Sequence, residues 1–219
     1  MKLLLDFGNT RLKYAVYEGH TKISTGIIAD LTVESIRQIP YFAQVESIHL
    51  STVIDIPSPV SELFSAKLVP NQFFIPGKGY DVSSLGEDRI LLALGAGPSH
   101  LAICLGTCIT YNLTDESHAF VGGAISPGLG MRGKAMHEQT AKLPHVIPEM
   151  NYPHFGDNTA SNLLAGVMAG VEFEIKGFVK EAQKRIPDLQ IILTGGDSQY
   201  FEHLYPVDPD LVWKGMLSK

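Results

Sequence analysis

The sequence predicts an α/β protein of two similar halves that face each other across a cleft, and three observations carry that prediction. The run Leu3-Leu4-Leu5-Asp6-Phe7-Gly8-Asn9-Thr10-Arg11-Leu12-Lys13 is an apolar strand ending in a carboxylate, then a tight Gly-Asn-Thr turn, then a second strand in which Leu12, Tyr14 and Val16 alternate. About half a chain later, Leu101-Ala102-Ile103-Cys104-Leu105-Gly106-Thr107-Cys108-Ile109-Thr110-Tyr111-Asn112 repeats this plan of apolar strand, Gly-Thr turn and alternating strand. After each hairpin, short apolar runs alternate with helical patterns, so an antiparallel meander continues into βαβ crossovers.

In chain order, residues 22–28 complete the first meander as a third strand, and 32–39 read as a helix capped near Asp30 or Thr32 and closed by Pro40. A fourth strand over 46–53 carries Ile48 and Leu50; a Pro-rich start leads to a short helix over 60–66, and 71–75 read as a fifth strand. A Gly- and Ser-containing loop, 76–85, precedes Gly86-Glu87-Asp88-Arg89 and an apolar helix over 90–96. The second meander takes 101–105, 108–113 and 119–125, followed by a glycine-rich entry, 122–130, into a helix over 131–140. The longest helical pattern is 158–184, where Leu163, Leu164, Val167, Val171, Ile175 and Phe178 recur at helical spacing and Pro187 stops the run. A buried strand over 190–193 enters the turn Thr194-Gly195-Gly196-Asp197 ahead of another helix, and a last helix near 210–216 returns to cover the sheet.

Bulk properties narrow the partners. A chain of 219 residues with 45% hydrophobic content buries a substantial core. Its net charge of −6, with Lys and Arg scattered, argues against a nucleic-acid stripe or a polybasic membrane patch. Two cysteines, Cys104 and Cys108, are too few for a disulfide framework or a four-ligand zinc site and fit a reducing cytoplasm. Asp6 interrupts the N-terminal apolar run after three leucines, so neither a signal peptide nor a spanning helix is expected.

The turns carry the chemistry. Gly8 lets a ligand approach the backbone, the turn amides with Asn9 and Thr10 donate to phosphate oxygens, Asp6 suits a hydrated Mg²⁺, and Lys13 adds a point charge. One hairpin of this kind is explained as well by turn propensity alone. Two of them, on opposite walls of one cleft, give the architecture of actin-like phosphotransferases, where hinge closure around a nucleotide excludes water from the transferring group.

Seven motifs in order, spanning essentially the whole chain, resemble the type III pantothenate kinases of the acetate and sugar kinase/actin-like superfamily. They are Asp6-x-Gly8-Asn9-Thr10 with Lys13; Gly86-x-Asp88-Arg89; Gly106-Thr107-x-x-Thr110; Gly122-Gly123-x-Ile125-x-Pro127-Gly128; Thr140-Ala141-x-Leu143-Pro144; Asn158-Thr159; and Thr194-Gly195-Gly196-Asp197. The resemblance implies two ribonuclease H-like/actin-like domains, residues 1–98 and 99–219, with a nucleotide cleft between them and dimerisation through the second. It implies ATP-dependent phosphorylation of pantothenate to 4'-phosphopantothenate, the first step of coenzyme A biosynthesis, with Mg²⁺ and a monovalent cation, K⁺ or NH₄⁺. Asp6, Gly8, Asn9, Thr10 and Lys13 would form the first phosphate loop, Gly106, Thr107 and Thr110 the second, and Gly195 and Gly196 the adenosine loop. Asp88 would be the general base for the pantothenate hydroxyl. Tyr80, Gly86 and Arg89 would hold pantothenate, and Thr159, opening the long helix, would reach the partner's site in a homodimer.

The chain also departs from the family pattern. Where the family carries aspartates before the second Gly-Thr turn and at the end of the following strand, this sequence has Cys104 and Asn112, a thiol and an amide at positions that handle cations. Tyr80 stands one residue short of the family's aromatic. These departures keep a second reading open, a non-catalytic or regulatory relative that binds nucleotide or a partner without turnover.

Overall fold

The computed structural model describes residues 1–8 and 10–218. Two four-stranded sheets form its frame, each an antiparallel meander extended by one parallel strand. In the first, β1 (Lys2–Phe7) pairs antiparallel with β2 (Leu12–Glu18), β2 with β3 (Thr21–Ile28), and β4 (Ser47–Thr52) runs parallel to β1. The second repeats this order with β5 (His100–Leu105), β6 (Cys108–Thr114), β7 (Phe120–Pro127) and β8 (Gln190–Thr194), the last parallel to β5. The repeat legible in the two hairpins is thus a repeat of whole sheets.

Helices α1 (Val33–Arg37) and α2 (Ser58–Ser65) cover one face of the first sheet, with Ile36, Val60 and Phe64 packed on Leu3, Leu5 and Phe7. Thr32 caps α1, its hydroxyl accepting from the Ser35 amide at 3.2 Å. Helix α5 (Thr159–Arg185) covers the second sheet, seating Val167, Val171 and Ile175 on Ile103, Leu105 and Tyr111. Asn158 and Ser161 close a reciprocal capping box at its start, and Lys184 and Arg185 sit in its last turn, where the helix dipole favours cations. Helix α4 (Leu129–Glu138) packs beside it.

The remaining faces of both sheets share one helical layer made of α3 (Glu87–Ala96) and α6 (Leu211–Leu217). Trp213 and Met216 of α6 lie on Leu4, Ala15 and Tyr17 of the first sheet, while Leu211 meets Leu92 and Ala102. The last helix therefore covers a sheet, as expected, but it is the sheet made from the other end of the chain. The crossing of α3 and α6 is close: a Cβ on Gly215 would stand 2.0 Å from the Leu91 carbonyl oxygen, and one on Gly95 would stand 2.1 Å from that of Leu211.

Three sequence expectations are corrected. Residues 71–75 form no strand. Leu68 makes a single parallel bridge to Ile48, with the Val69 amide donating to the Ile48 carbonyl, and there the ladder stops. Beyond Pro70, Asn71 reaches the next acceptor by its side chain, Nδ2 donating to the Leu50 carbonyl at 2.7 Å. The strand expected over 119–125 runs on to Pro127, with Gly122 and Gly123 inside β7, and Gly128 caps α4. The helix expected after Asp197 is a single 3₁₀ turn, Ser198–Phe201.

Candidate active site

Both hairpin turns open into one cleft of 740 Å³ between the sheets. They are built alike: the Gly8 amide donates to the Arg11 carbonyl at 3.1 Å, and the Gly106 amide donates to the Cys108 carbonyl at 3.1 Å. Across the cleft the hydroxyls of Thr10 and Thr107 share a hydrogen bond of 2.7 Å. Asp6, Gly8, Thr10, Lys13, Cys104, Gly106, Thr107, Gly195 and Gly196 all line this space. Asn9, expected in the first turn, lies outside the described residues.

Asp6 and Lys13 are cross-strand partners in the β1–β2 ladder, and their side chains stand 3.9 Å apart. Burial raises the Asp6 carboxyl above the ordinary carboxylate range; Lys13 opposes that and the charge of Asp88 adds to it. Cys104, half-buried between the two carboxylates, has its thiol pushed up to about 12, chiefly by burial, so it is a protonated thiol at neutral pH. Asp197 is likewise raised by burial, with Arg11 opposing.

Asp88 stands in the first turn of α3, with Gly86 as the N-cap. Its Oδ1 lies only 2.6 Å from where a Gly86 Cβ would be, so the carboxylate folds back over the cap, and its charge is felt at Asp6 and Cys104. Adjacent helix residues point about 100° apart, and Arg89 turns the other way. It is 8% exposed, its Nε donates to Asn112 Oδ1 at 2.8 Å, one Nη donates to the Tyr111 carbonyl at 3.1 Å, and its guanidinium lies over the Phe120 ring, 5.5 Å from the centroid. Tyr80 meets the same ring edge-on at 4.7 Å, held there because the 76–78 backbone bonds to Phe120. The fold thus brings Tyr80, Arg89 and Asn112 together around the buried Phe120 ring and the Tyr111 carbonyl.

Other expected residues are placed differently. Thr110 lies within β6 outside the cleft lining, and its Oγ1 accepts from Asn112 Nδ2 at 3.2 Å. Thr159 is exposed at the start of α5, away from the cleft lining of its own chain. Arg11, Met131, Lys134, His145 and Asp197 line the cleft without having been singled out. Asp197 and Arg11 sit inside motifs that were read, whereas Lys134 and His145 belong to no local pattern and arrive with α4 and the loop after it.

No group of three or more His, Cys, Asp and Glu that could hold a metal is found among the described residues. Mg²⁺ needs less protein than that, because it keeps waters and takes one or two carboxylates together with nucleotide phosphates; Asp6, with Asp88 nearby, fits it. The pair Cys104 and Asn112 does not fit K⁺ or NH₄⁺. Asn112 is 0% exposed, its carbonyl is spent on Arg89, its amide donates to the Ala102 carbonyl and to Thr110, and a neutral thiol is a poor ligand for a hard cation.

Comparison with known proteins agrees with this geometry. The family model described as Type III pantothenate kinase matches residues 2–181. Similar curated relatives are the type III pantothenate kinases of Christiangramia forsetii, 36% identical over 91% of this chain and 87% of theirs, and of Flavobacterium johnsoniae, 35% identical over the same shares. Among solved structures, a Campylobacter jejuni protein described as a Baf family transcriptional activator superposes with a TM-score of 0.68 at 20% identity, covering 98% of this chain and 94% of that one, a likeness of fold. With a family model matched over residues 2–181 and relatives more than 30% identical over most of its length, the chain belongs to the type III pantothenate kinase family.

Proposed function

We propose that this protein transfers the γ-phosphoryl group of ATP to the primary hydroxyl of pantothenate, giving 4'-phosphopantothenate at the entry to coenzyme A biosynthesis. The observation that carries this reading is the convergence, in one cleft, of two glycine turns joined at Thr10 and Thr107, with Asp6 and Lys13 in the same lining and the charge of Asp88 felt at Asp6. The volume suits a nucleotide.

Phosphoryl transfer through a loose transition state needs positioning and charge neutralisation more than covalent chemistry. Thr10, Thr107 and the amides of Gly8 and Gly106 hold the phosphates from both walls, and Lys13 supplies positive charge to the transferring group. Asp6 would hold Mg²⁺ together with the phosphates, and the ion would supply charge neutralisation on the leaving group. Asp88 orients the attacking hydroxyl and takes its proton late. The Gly195-Gly196 loop, with Asp197 and Arg11, lies on the adenosine side. Arg89 and Tyr80 receive pantothenate.

The assembly is read as a homodimer through α5. Gly166, Gly170, Phe173 and Gly177 share one face of that helix; none of these glycines has a neighbour where a Cβ would stand, and Phe173 is 54% exposed. Such a face lets a second helix come close, and Thr159 at its start would then reach the partner's acceptor site. The domains are taken as 1–98 and 99–219. No helix among the described residues is long and apolar enough to cross a membrane, and we place the enzyme in the cytoplasm, where its substrates and two free thiols belong. A coupled ADP-release assay with purified protein, ATP and Mg²⁺ tests the reading: ADP release should require pantothenate, and release without it, or none with it, would overturn the proposal.

A further inference from the structure

We infer that Asn112 and Cys104 free the acceptor site from any monovalent cation, because the site's own fixed cation, Arg89, is left without a carboxylate to neutralise it. This rests on the acceptor reading above. Arg89 is a buried guanidinium, yet no carboxylate lies within 4.0 Å of it among the described residues. Its protein partners are the Asn112 amide oxygen, the Tyr111 carbonyl and the face of Phe120, all of them dipoles or π electrons rather than charges.

The surroundings are built to keep it so. Asn112 is held so as to present its oxygen to the guanidinium: Oδ1 accepts from Nε at 2.8 Å while Nδ2 donates at 3.2 Å to both the Ala102 carbonyl and Thr110 Oγ1. Gly123 clears the space, since a Cβ there would stand 2.3 Å from an Arg89 Nη. Gly123 is itself exposed beside the guanidinium. No buried side-chain nitrogen or oxygen lacks a partner among the described residues, so the Arg89 Nη that makes no protein hydrogen bond keeps contact with solvent.

The charge balance then decides the cation question. Carboxylates at positions 104 and 112 would place two further negative charges beside Asp6, Asp88 and Arg89; the second would pair with Arg89 directly and cancel it unless a cation compensated. A neutral thiol and a neutral amide need no such compensation. The full charge of Arg89 stays available to an acceptor that carries one carboxylate, and burial strengthens that attraction. Asn112 is a positioning residue in this account, acting through Arg89.

The test is calorimetric titration of pantothenate into the protein loaded with a non-hydrolysable ATP analogue and Mg²⁺, in potassium and in tetramethylammonium salts of equal ionic strength. The wild type should bind equally, within about twofold, in both. Asn112→Asp should bind on the order of tenfold more weakly in tetramethylammonium and recover in potassium, with its affinity for the ATP analogue unchanged. A purely structural role would instead lower both affinities together, in either salt. Cys104→Asp is the second variant, expected to acquire the same potassium dependence should Asn112→Asp not fold. Tenfold weaker wild-type binding without potassium overturns the inference, as does an Asp variant indifferent to the salt. A wild type that binds the ATP analogue but no pantothenate in either salt overturns the acceptor reading itself.

Discussion

Thr10 and Thr107, 97 residues apart in sequence, touch through their hydroxyls at 2.7 Å and close the two glycine turns on each other. An exposed hydrogen bond of this kind contributes about 0.5–1 kcal/mol, too little to hold two halves together, so its value lies in what it aligns. Thr107→Val should therefore barely change the melting temperature while weakening binding of an ATP analogue by roughly threefold to tenfold. Equal affinity by calorimetry would remove Thr107 from the phosphate site.

The charge of Asp88 is felt at Asp6 and Cys104, beside the two glycine turns. Asp88→Asn should lower kcat by on the order of a hundredfold or more with ATP-analogue affinity retained. Should that affinity collapse as well, the carboxylate serves the metal or the fold.

Arg89→Ala should raise the KM for pantothenate by at least about tenfold, since a charge-assisted contact in a partly buried site is lost. It also strands the Asn112 carbonyl and the space beside Gly123, so some loss of stability is expected with it. A pantothenate KM left at its wild-type value, measured at saturating ATP, would exclude Arg89 from the acceptor site.

The α3–α6 crossing sets the position of α3 and hence of Asp88. Helix propensity alone favours alanine over glycine at position 215 by about 1 kcal/mol. The new Cβ, however, would stand 2.0 Å from the Leu91 carbonyl oxygen, a backbone atom that cannot swing aside, and overpacking costs typically about 1–3 kcal/mol. Gly215→Ala should lower the melting temperature by several degrees, roughly 2–4 °C per kcal/mol for a chain of this size. A rise on thermal denaturation would show that the crossing relaxes freely.

Asp115 pins the β6–β7 turn, accepting from the Ser117 hydroxyl at 2.7 Å, the Ala119 amide at 3.0 Å, the Ser117 amide at 2.9 Å and Lys78 at 3.0 Å. The Ser117 hydroxyl bond leads the causes that hold its carboxyl well below the usual carboxylate range, against the cost of burial. A folded-state pKa below the unfolded one stabilises at pH above the unfolded value, about 4, and that contribution fades as pH falls from there toward the folded value. Asp115→Asn should therefore be less stable than wild type at pH 7, with the gap narrowing below pH 4. Parallel denaturant curves from pH 7 to pH 3 would show the opposite sign if Asp115 were strained instead.

Much of this was legible in local pattern. Each glycine turn is a contiguous run whose residues meet because strand pairing brings them together, as Asp6 and Lys13 do in register. The apolar run over 71–75 does not pair for a local reason: the ladder ends at Val69, and the Asn71 side chain donates to the Leu50 carbonyl, the next acceptor along the strand. Lys134 and His145 carried no signal, since they enter the cleft only through how α4 and its following loop pack.

The linear order of residues determined, on its own, the two repeated meanders, the turn chemistry and the family, because each depends on contacts within a few residues or across one hairpin. Tertiary structure alone decided that the last helix would pack on the first sheet through Trp213 and Met216, that Tyr80 and Arg89 would both meet the Phe120 ring, and that Asn112 would bond a guanidinium rather than a metal ion. Those outcomes turn on which distant faces are buried together and which charges are left unpaired once they are, and neither is fixed until the whole chain has packed.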